Sequence, residues 1–300
     1  MRTFVHGAAV WGVVRPERPG RVAGVGMAGF HVRDLDALRM VPHPAVTLFL
    51  DVGAGSYVLD HAAGRQQGGS AVAGPGVGAG GAVWARGENV ECLQVRLSPV
   101  IARAVLGVSP AELDGAVAGL DDVWGREAAR IRERLGEVTS WQERFALTDS
   151  LLARRCREAE RSPVDPEVAW AWERIVGGRG AVRVERLAAE LGWSRKRLWS
   201  RFRAQLGLRP KHAVRLVRFD HAAHRLVAGE SAAGVAADAG YADQSHLHRD
   251  VMAFTGVTPA AVAGERFLAV DDLAWPDRDA ALRSPASSPA GPRSCRASRP

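Results

Sequence analysis

The sequence is poor in cysteine and in long apolar runs, and each shortage excludes a class of protein. Only Cys92, Cys156 and Cys295 are present, far apart and with no C-x-x-C pair. Neither a disulfide framework nor a cysteine-based zinc site is therefore expected, and the thiols should be reduced. No stretch approaches the ~18 apolar residues of a transmembrane helix, and the apolar N-terminal run ends in Arg15–Arg18 instead of a cleavage site. We expect a cytoplasmic protein that makes no contact with a membrane.

Lysine is also scarce, with Lys196 and Lys211 the only two among 40 basic residues, yet the net charge is +7. The 300 residues are 47% hydrophobic and 24% charged, which is typical of globular proteins. The positive excess is concentrated, because residues 193–227 hold ten basic residues and one acidic residue, Asp220. Such a local excess indicates a surface that binds a polyanion.

Local patterns divide the chain into four parts. The first ~100 residues are rich in Gly and Val and predict short strands, the clearest at 46–52, 57–59, 82–84 and 90–97. Helical patterns follow, starting at the capping box Ser109-Pro110-Ala111-Glu112 and continuing over 121–138 and 140–160. We predict an α+β fold with a strand-rich N-terminal domain and trailing helices (1–160), a helical linker (161–178), an all-α domain (179–268) and a disordered tail (275–300).

Residues 183–268 contain an internal repeat. The two copies align at an offset of 48 residues before a turn and 49 after it. In each copy an apolar helix ends at a glycine followed by an aromatic residue, Gly192-Trp193 and Gly240-Tyr241. A capping residue, Ser194 or Asp243, then begins a second helix. This pattern predicts two helix-turn-helix units, in which the second helix enters the DNA major groove.

Helical geometry predicts which side chains of the second helices face outward. Leu198 and Phe202 mark the buried face of the first, and Leu247 and Val251 that of the second. The candidate DNA-binding residues are the capping residues and the polar, basic or aromatic residues of the outer faces and the connecting helix: Ser194, Arg195, Lys196, Arg197, Trp199, Ser200, Arg203, Lys211, Arg215, Asp243, Gln244, Ser245, His246, His248 and Arg249. Their side chains can bond base edges or phosphates.

The stretch from about Arg179 to Phe267 resembles the DNA-binding domain of the AraC/XylS family of transcription regulators. The residues that carry the resemblance are Leu187-Ala188, Gly192-Trp193-Ser194, Leu198, Phe202, Gly207, Pro210, Arg218, Ala222, Leu226, Val235-Ala236, Gly240 to Leu247, Arg249 and Gly256-Val257-Thr258-Pro259. The resemblance implies a bacterial regulator that binds double-stranded DNA through two helix-turn-helix units per chain. It also implies an N-terminal domain that senses a small-molecule effector or forms a homodimer, and RNA polymerase as a partner if the protein is an activator.

The second copy departs from the family pattern at three positions. Leu247 and Val251 replace more usual aromatic residues, and Asp250 is acidic where a neutral or basic residue is commoner. We therefore expect the first copy to dominate the affinity for DNA.

Two other interpretations stay open on the sequence alone. One is an enzyme or modifying domain fused to a DNA-binding module, although no Ser/His/Asp set, carboxylate pair or metal-ligand cluster supports one. The other is an adaptor that has lost DNA binding, which the basic residues Lys196 and Arg203 argue against. No catalytic residue, metal or cofactor is expected.

Overall fold

A computed structural model describes residues 2–6, 9–61, 64–79, 83–113, 116–159 and 164–283. The N-terminal part is built on one antiparallel sheet. Its strands are β1 (Arg2–His6), β2 (Ala9–Val14), β3 (Val25–Arg39), β4 (Val46–Asp51), β5 (Ser56–His61), β6 (Gln66–Gly68), β7 (Ala71–Ala73), β8 (Val83–Leu97) and β9 (Val117–Gly119). The predicted strand-rich N-terminal region is thus confirmed.

Strand β8 organises the sheet. Along one edge it pairs with β3, from Val25 opposite Leu97 to Arg39 opposite Trp84, with an irregularity between Leu35 and Leu38. Along its other edge, residues 92–97 of β8 pair with β4 and residues 83–88 pair with β5. The predicted strands at 82–84 and 90–97 are therefore parts of one long strand, with residue 82 outside the described residues.

The two faces of the sheet support different cores. Because side chains alternate along a strand, Leu93, Val95 and Leu97 of β8 point to one face. There they pack with buried side chains of four helices, α1 (Pro99–Leu106), α2 (Leu120–Trp124), α3 (Arg126–Glu137) and α4 (Trp141–Glu158). The alternate residues of β8, from Val90 to Arg96, lie on the other face, which meets the C-terminal part of the chain.

The capping box at Ser109 forms, but it begins a shorter element than the sequence predicts. The Ser109 backbone N–H donates to Glu112 Oε1 at 2.8 Å, and the Ala111 N–H donates to Ser109 Oγ at 3.2 Å. The element is a 3₁₀ turn, Pro110–Leu113, and the short strand β9 follows. Local capping favours a first helical turn, whereas pairing of β9 with β7 takes the chain back to the sheet.

Over residues 164–283, the C-terminal part consists of helices and the turns that connect them. It comprises α5 (Pro166–Gly177), α6 (Val184–Glu190), α7 (Arg195–Leu206), α8 (Pro210–Val227), α9 (Ala232–Asp238), α10 (Gln244–Thr255), α11 (Pro259–Val262) and α12 (Arg266–Ala274). Helix α5, in the predicted linker, is part of this helical core, since its buried Trp172 packs against Phe202 with ring centroids 6.5 Å apart. In the described part of the chain, no helix has both the length and the apolar content needed to cross a membrane.

We call residues 266–283 the C-terminal strap. Its ordered structure over residues 275–283 contradicts the prediction of a disordered tail from residue 275 onward. Trp275 is buried against the sheet, where a Cβ on Gly26 would lie 2.9 Å from its ring. A 3₁₀ turn, Arg278–Ala281, follows, and the buried Leu282 accepts a hydrogen bond from Trp172 Nε1 at 2.7 Å. The tail prediction thus fails over 275–283, because tertiary contacts order a segment of low apolar content. The remainder of the predicted tail lies outside the described residues.

Gly29 lies where the sheet packs closely against helix α4. A Cβ at this position would overlap the indole ring of Trp141 on α4. We expect Gly29→Ala to lower the free energy of unfolding by about 1–3 kcal/mol through overpacking, measured by urea denaturation. The control is Gly136→Ala on α3, where a Cβ meets open space and helix propensity predicts a gain of up to about 1 kcal/mol. Equal effects of the two substitutions would contradict this account of the packing.

Candidate nucleic-acid interface

Two helix-turn-helix units form as the repeat predicts. The first unit is α6 with α7, and the second is α9 with α10. The turns pass through Gly192 and Gly240, with φ of +64° and +75°, a left-handed conformation that favours glycine. Ser194 Oγ then accepts from the Arg197 N–H at 3.1 Å, and Asp243 Oδ1 accepts from the His246 N–H at 2.7 Å. These caps set where each recognition helix, α7 or α10, begins.

The buried faces of the recognition helices are those that the spacing predicts. Leu198 and Phe202 on α7 and Leu247 and Val251 on α10 have no exposed surface. In the second turn, Tyr241 is buried and lies under the guanidinium of Arg218 at 4.6 Å from the ring centroid. Burial raises the pKa of its hydroxyl above the ordinary value, which keeps the phenol neutral.

The outer face of α7 is basic and free of acidic side chains. The predicted residues on it are exposed: Arg195, Lys196, Arg197, Trp199, Ser200 and Arg203. Trp199 is 41% exposed, and the guanidinium carbons of Arg203 and Arg209 lie 5.4 and 5.8 Å from its ring centroid. Arg209 is not among the residues that the sequence predicts for the site, although its position directly before Pro210, the first residue of α8, places it beside Trp199.

The outer face of α10 is polar and only weakly basic. Its exposed residues include Gln244, Ser245, His248 and Arg249, as predicted, and the exposed Asp243 serves as the cap. His246 differs from the expectation, because it is half-buried and turns toward the turn. Its Nδ1 accepts from the Ala242 N–H at 3.3 Å, and its ring meets that of Tyr241 edge-on. Met252, which is not among the predicted site residues, is 38% exposed on this helix.

Asp250 lies on the inner side of α10 and anchors that helix to α8. It is only 4% exposed, and one carboxylate oxygen is 2.7 Å from Arg215 Nη2 while the other is 3.6 Å from Arg218 Nη2. The acidic residue that looked unfavourable for DNA binding is therefore turned away from the outer face. Arg215, a candidate for phosphate contact, has its guanidinium engaged by this carboxylate.

Half of the ten basic residues in 193–227 have acidic partners. These pairs are Arg195 with Glu185, Arg201 with Asp165, Arg215 and Arg218 with Asp250, and Arg225 with Glu230 and Asp238. Among the described residues, no acidic partner is found for the other five, which are Lys196, Arg197, Arg203, Arg209 and Lys211. The uncompensated charge thus lies on α7 and at the start of α8.

The N-terminal domain holds the far ends of both recognition helices. Ser109 Oγ donates to the carbonyl of Ala204 on α7 at 2.9 Å. Arg39 Nη1 on β3 donates to the carbonyl of Thr255 at the end of α10 at 2.8 Å. These contacts satisfy carbonyls near the C-terminal ends of α7 and α10, while the outer faces of both helices stay exposed.

In the described part of the chain, metal binding and reactive cysteine chemistry have little structural support. No group of three or more His, Cys, Asp or Glu side chains there could hold a metal ion. The Cys92 thiol is buried, and burial raises its pKa far above the ordinary value, which disfavours the nucleophilic thiolate. Cys295 lies outside the described residues.

Residues 187–264 match a protein family described as a helix-turn-helix domain, whereas no curated protein matches the chain. Among solved structures, ToxT from Vibrio cholerae O395 is 10% identical, with a TM-score of 0.45 over 81% of this chain and 98% of that one. Unsaturated-fatty-acid-bound ToxT from Vibrio cholerae strain SCE256 is 12% identical, with a TM-score of 0.45 over 83% and 97% of the two chains. The C-terminal domain of AraT, a response regulator from Geobacillus stearothermophilus, is 23% identical, with a TM-score of 0.33 over 35% and 89%.

The paired helix-turn-helix units and the family match define the class of this region: the chain carries a helix-turn-helix domain, a class of domain that binds DNA. More particularly, its domain at residues 187–264 is of the AraC type, as the resemblance implied.

Asp250→Asn tests the anchoring role of Asp250. Because it removes the charge that two arginines share in a buried position, we expect the free energy of unfolding to fall by about 3 kcal/mol. The control is Asp238→Asn, which breaks an ion pair whose carboxylate is 67% exposed and should cost under about 1 kcal/mol. Urea denaturation followed by circular dichroism measures both. Unchanged stability together with tighter DNA binding would show instead that Asp250 acts on the DNA.

Proposed function

We propose that the protein regulates transcription by placing α7 and α10 in successive major-groove segments of one double-stranded DNA site, about 34 Å apart. The observation that carries this proposal is the exposure of both outer faces while their inner faces are buried. Lys196, Ser200 and Arg203 read base edges from α7. Ser245, His248 and Arg249 do so from α10.

The remaining candidates position the protein on the phosphates. Arg195, Arg197, Arg209 and Lys211 surround the outer face of α7 and carry charges suited to neighbouring phosphates. Trp199 and Gln244 lie beside the base-reading residues, and the caps Ser194 and Asp243 fix the helix starts. Arg215 and His246 act indirectly, by holding α10 and the turn of the second unit.

We also propose that the protein acts in the cytoplasm and catalyses no reaction. A homodimer would present four recognition helices, and activation would require a contact with RNA polymerase.

Selection of genomic DNA fragments by the purified full chain, at a stated salt concentration, tests the proposal and identifies the bound sequence. We then expect Lys196→Ala and Arg203→Ala each to weaken binding by about 1–3 kcal/mol, roughly 5- to 150-fold. Loss of a phosphate contact, as in Lys211→Ala, should instead reduce the slope of log K against log[salt] by about one. Gel-shift titrations measure all three variants.

The matched control for these titrations is Arg130→Ala, which removes an exposed arginine from α3 in the N-terminal domain. It should leave affinity within about twofold, because surface charge outside the DNA-binding face acts only through screened long-range attraction. The double variant Lys196→Ala, Arg203→Ala should cost more affinity than Arg249→Ala. The opposite order would show that the second unit dominates, and failure to enrich any fragment would refute DNA recognition itself.

We further propose that a small uncharged molecule controls the protein through the face of the sheet that meets the C-terminal part of the chain. That face encloses a cavity of about 40 Å³, whose walls include Trp11, Phe30, Phe49, Tyr57, Cys92 and Gln94. Among the described residues, no acidic or basic side chain lines it, and Trp11 Nε1 and Gln94 Oε1 lack hydrogen-bond partners. A neutral, largely apolar molecule with one acceptor and one donor would satisfy both groups.

The cavity offers a direct connection to the DNA-binding domain. Its volume has room for about three water molecules, so an organic effector must displace the walls. Strand β8 is one of those walls, through Val90, Cys92 and Gln94, and the next residue on the same face is Arg96. Arg96 pairs with Asp271 of the C-terminal strap, so movement of β8 reaches the helices.

Benzyl alcohol and benzoate, which share a ring and differ in charge, test the chemistry of this cavity. At millimolar concentration, benzyl alcohol should raise the Tm of the full chain by about 3 °C through binding to the folded state, whereas benzoate should not. Gln94→Leu should abolish the shift, and Gln142→Leu, which changes a glutamine outside the cavity wall, should preserve it. Differential scanning calorimetry measures each case, and an equal shift with benzoate would contradict an uncharged effector.

A further inference from the structure

Among the described residues, two large apolar side chains are exposed, and both lie on the recognition helices. Trp199 on α7 is 41% exposed and Met252 on α10 is 38% exposed. Isolated exposed apolar residues are common on protein surfaces, so exposure alone means little. Their placement is informative, because each lies on a helix whose opposite face is fully buried.

The internal repeat shows where Met252 lies on the outer face. At the offset of 49 residues, Met252 aligns with Arg203, a proposed base-reading residue of the first unit. Along α10, Met252 follows His248 by four residues and Arg249 by three, so the three side chains share one face. Leu247 and Val251 occupy the buried face, and their exposure is zero.

The chemistry of methionine limits what it can contact on DNA. Its thioether carries no charge and no N–H or O–H, so it cannot hold a phosphate or donate to a base edge. The apolar group that bases present in the major groove is the C5-methyl of thymine. An unbranched, flexible side chain is suited to cover such a methyl group and to exclude water from it.

We propose that Met252 reads a thymine through its C5-methyl group, which makes it a specificity-determining residue of the second unit. The inference rests on the proposed DNA-binding function and adds a base preference to a helix with few charges. The first unit contributes charge at this position through Arg203, and the second contributes apolar contact through Met252. The two half-sites therefore differ in sequence at the equivalent position.

Replacing thymine by uracil in the selected DNA removes the methyl group alone and tests the proposal. In the second half-site, one such replacement should weaken binding by the wild-type chain about fourfold, the value expected for one buried methyl group. The same replacement should change binding by Met252→Ala by less than about 1.5-fold. Met252→Leu, which keeps an apolar side chain, should retain most of the sensitivity to uracil.

The control variant is Trp199→Ala, which truncates the exposed apolar residue of the other unit. Its binding should still weaken about fourfold at the Met252-dependent thymine, because the two contacts lie in different half-sites. Equal uracil effects in wild type and Met252→Ala at every position of the second half-site would overturn the role of Met252 while leaving DNA binding intact. A selection that enriches no fragment would instead overturn the proposed function, and the inference with it.

Discussion

A buried ion pair between Arg96 on β8 and Asp271 on α12 joins the two halves of the protein. Each side chain is only 2% exposed, and the guanidinium donates two hydrogen bonds to the carboxylate. The Arg96 guanidinium also lies 4.5 Å from the centre of the Trp275 ring, and Asp271 is 3.4 Å from His224 Nε2 on α8. Because an unpaired charge in such a place would be strongly destabilising, the sheet and the strap must meet in one arrangement.

That arrangement makes the sheet part of the support for the DNA-binding helices. The ion pair fixes the strap, the strap packs against α8, and α8 holds α10 through Asp250. The contacts of Ser109 with α7 and of Arg39 with α10 add two direct attachments from the N-terminal domain. Strand β8 carries both Gln94 in the cavity wall and Arg96 in the ion pair, so the proposed effector cavity and the support of the helices share one strand.

Local features were predictable from the sequence because their causes are local. Gly192 and Gly240 stop their helices and Ser194 and Asp243 cap the next ones through contacts within a few residues, so the repeat revealed both units. The inward orientation of Asp250 and the packing of Trp275 depend on residues far away in the chain, such as Arg215 and Gly26. No local pattern encodes these contacts, which is why a segment of low apolar content was expected to be disordered. The pairing of Arg39 with a helix end was missed for the same reason.

The position of the strap also bears on how the protein is made. Arg96 and its partner are separated by 175 residues, and the strap contributes some of the last described side chains of the chain. The ribosome synthesises the sheet before the strap. One face of β8, including the unpaired guanidinium of Arg96, therefore stays exposed to water until the strap has been synthesised. The N-terminal domain therefore cannot reach its final form during its own synthesis, and its completion coincides with that of the DNA-binding domain.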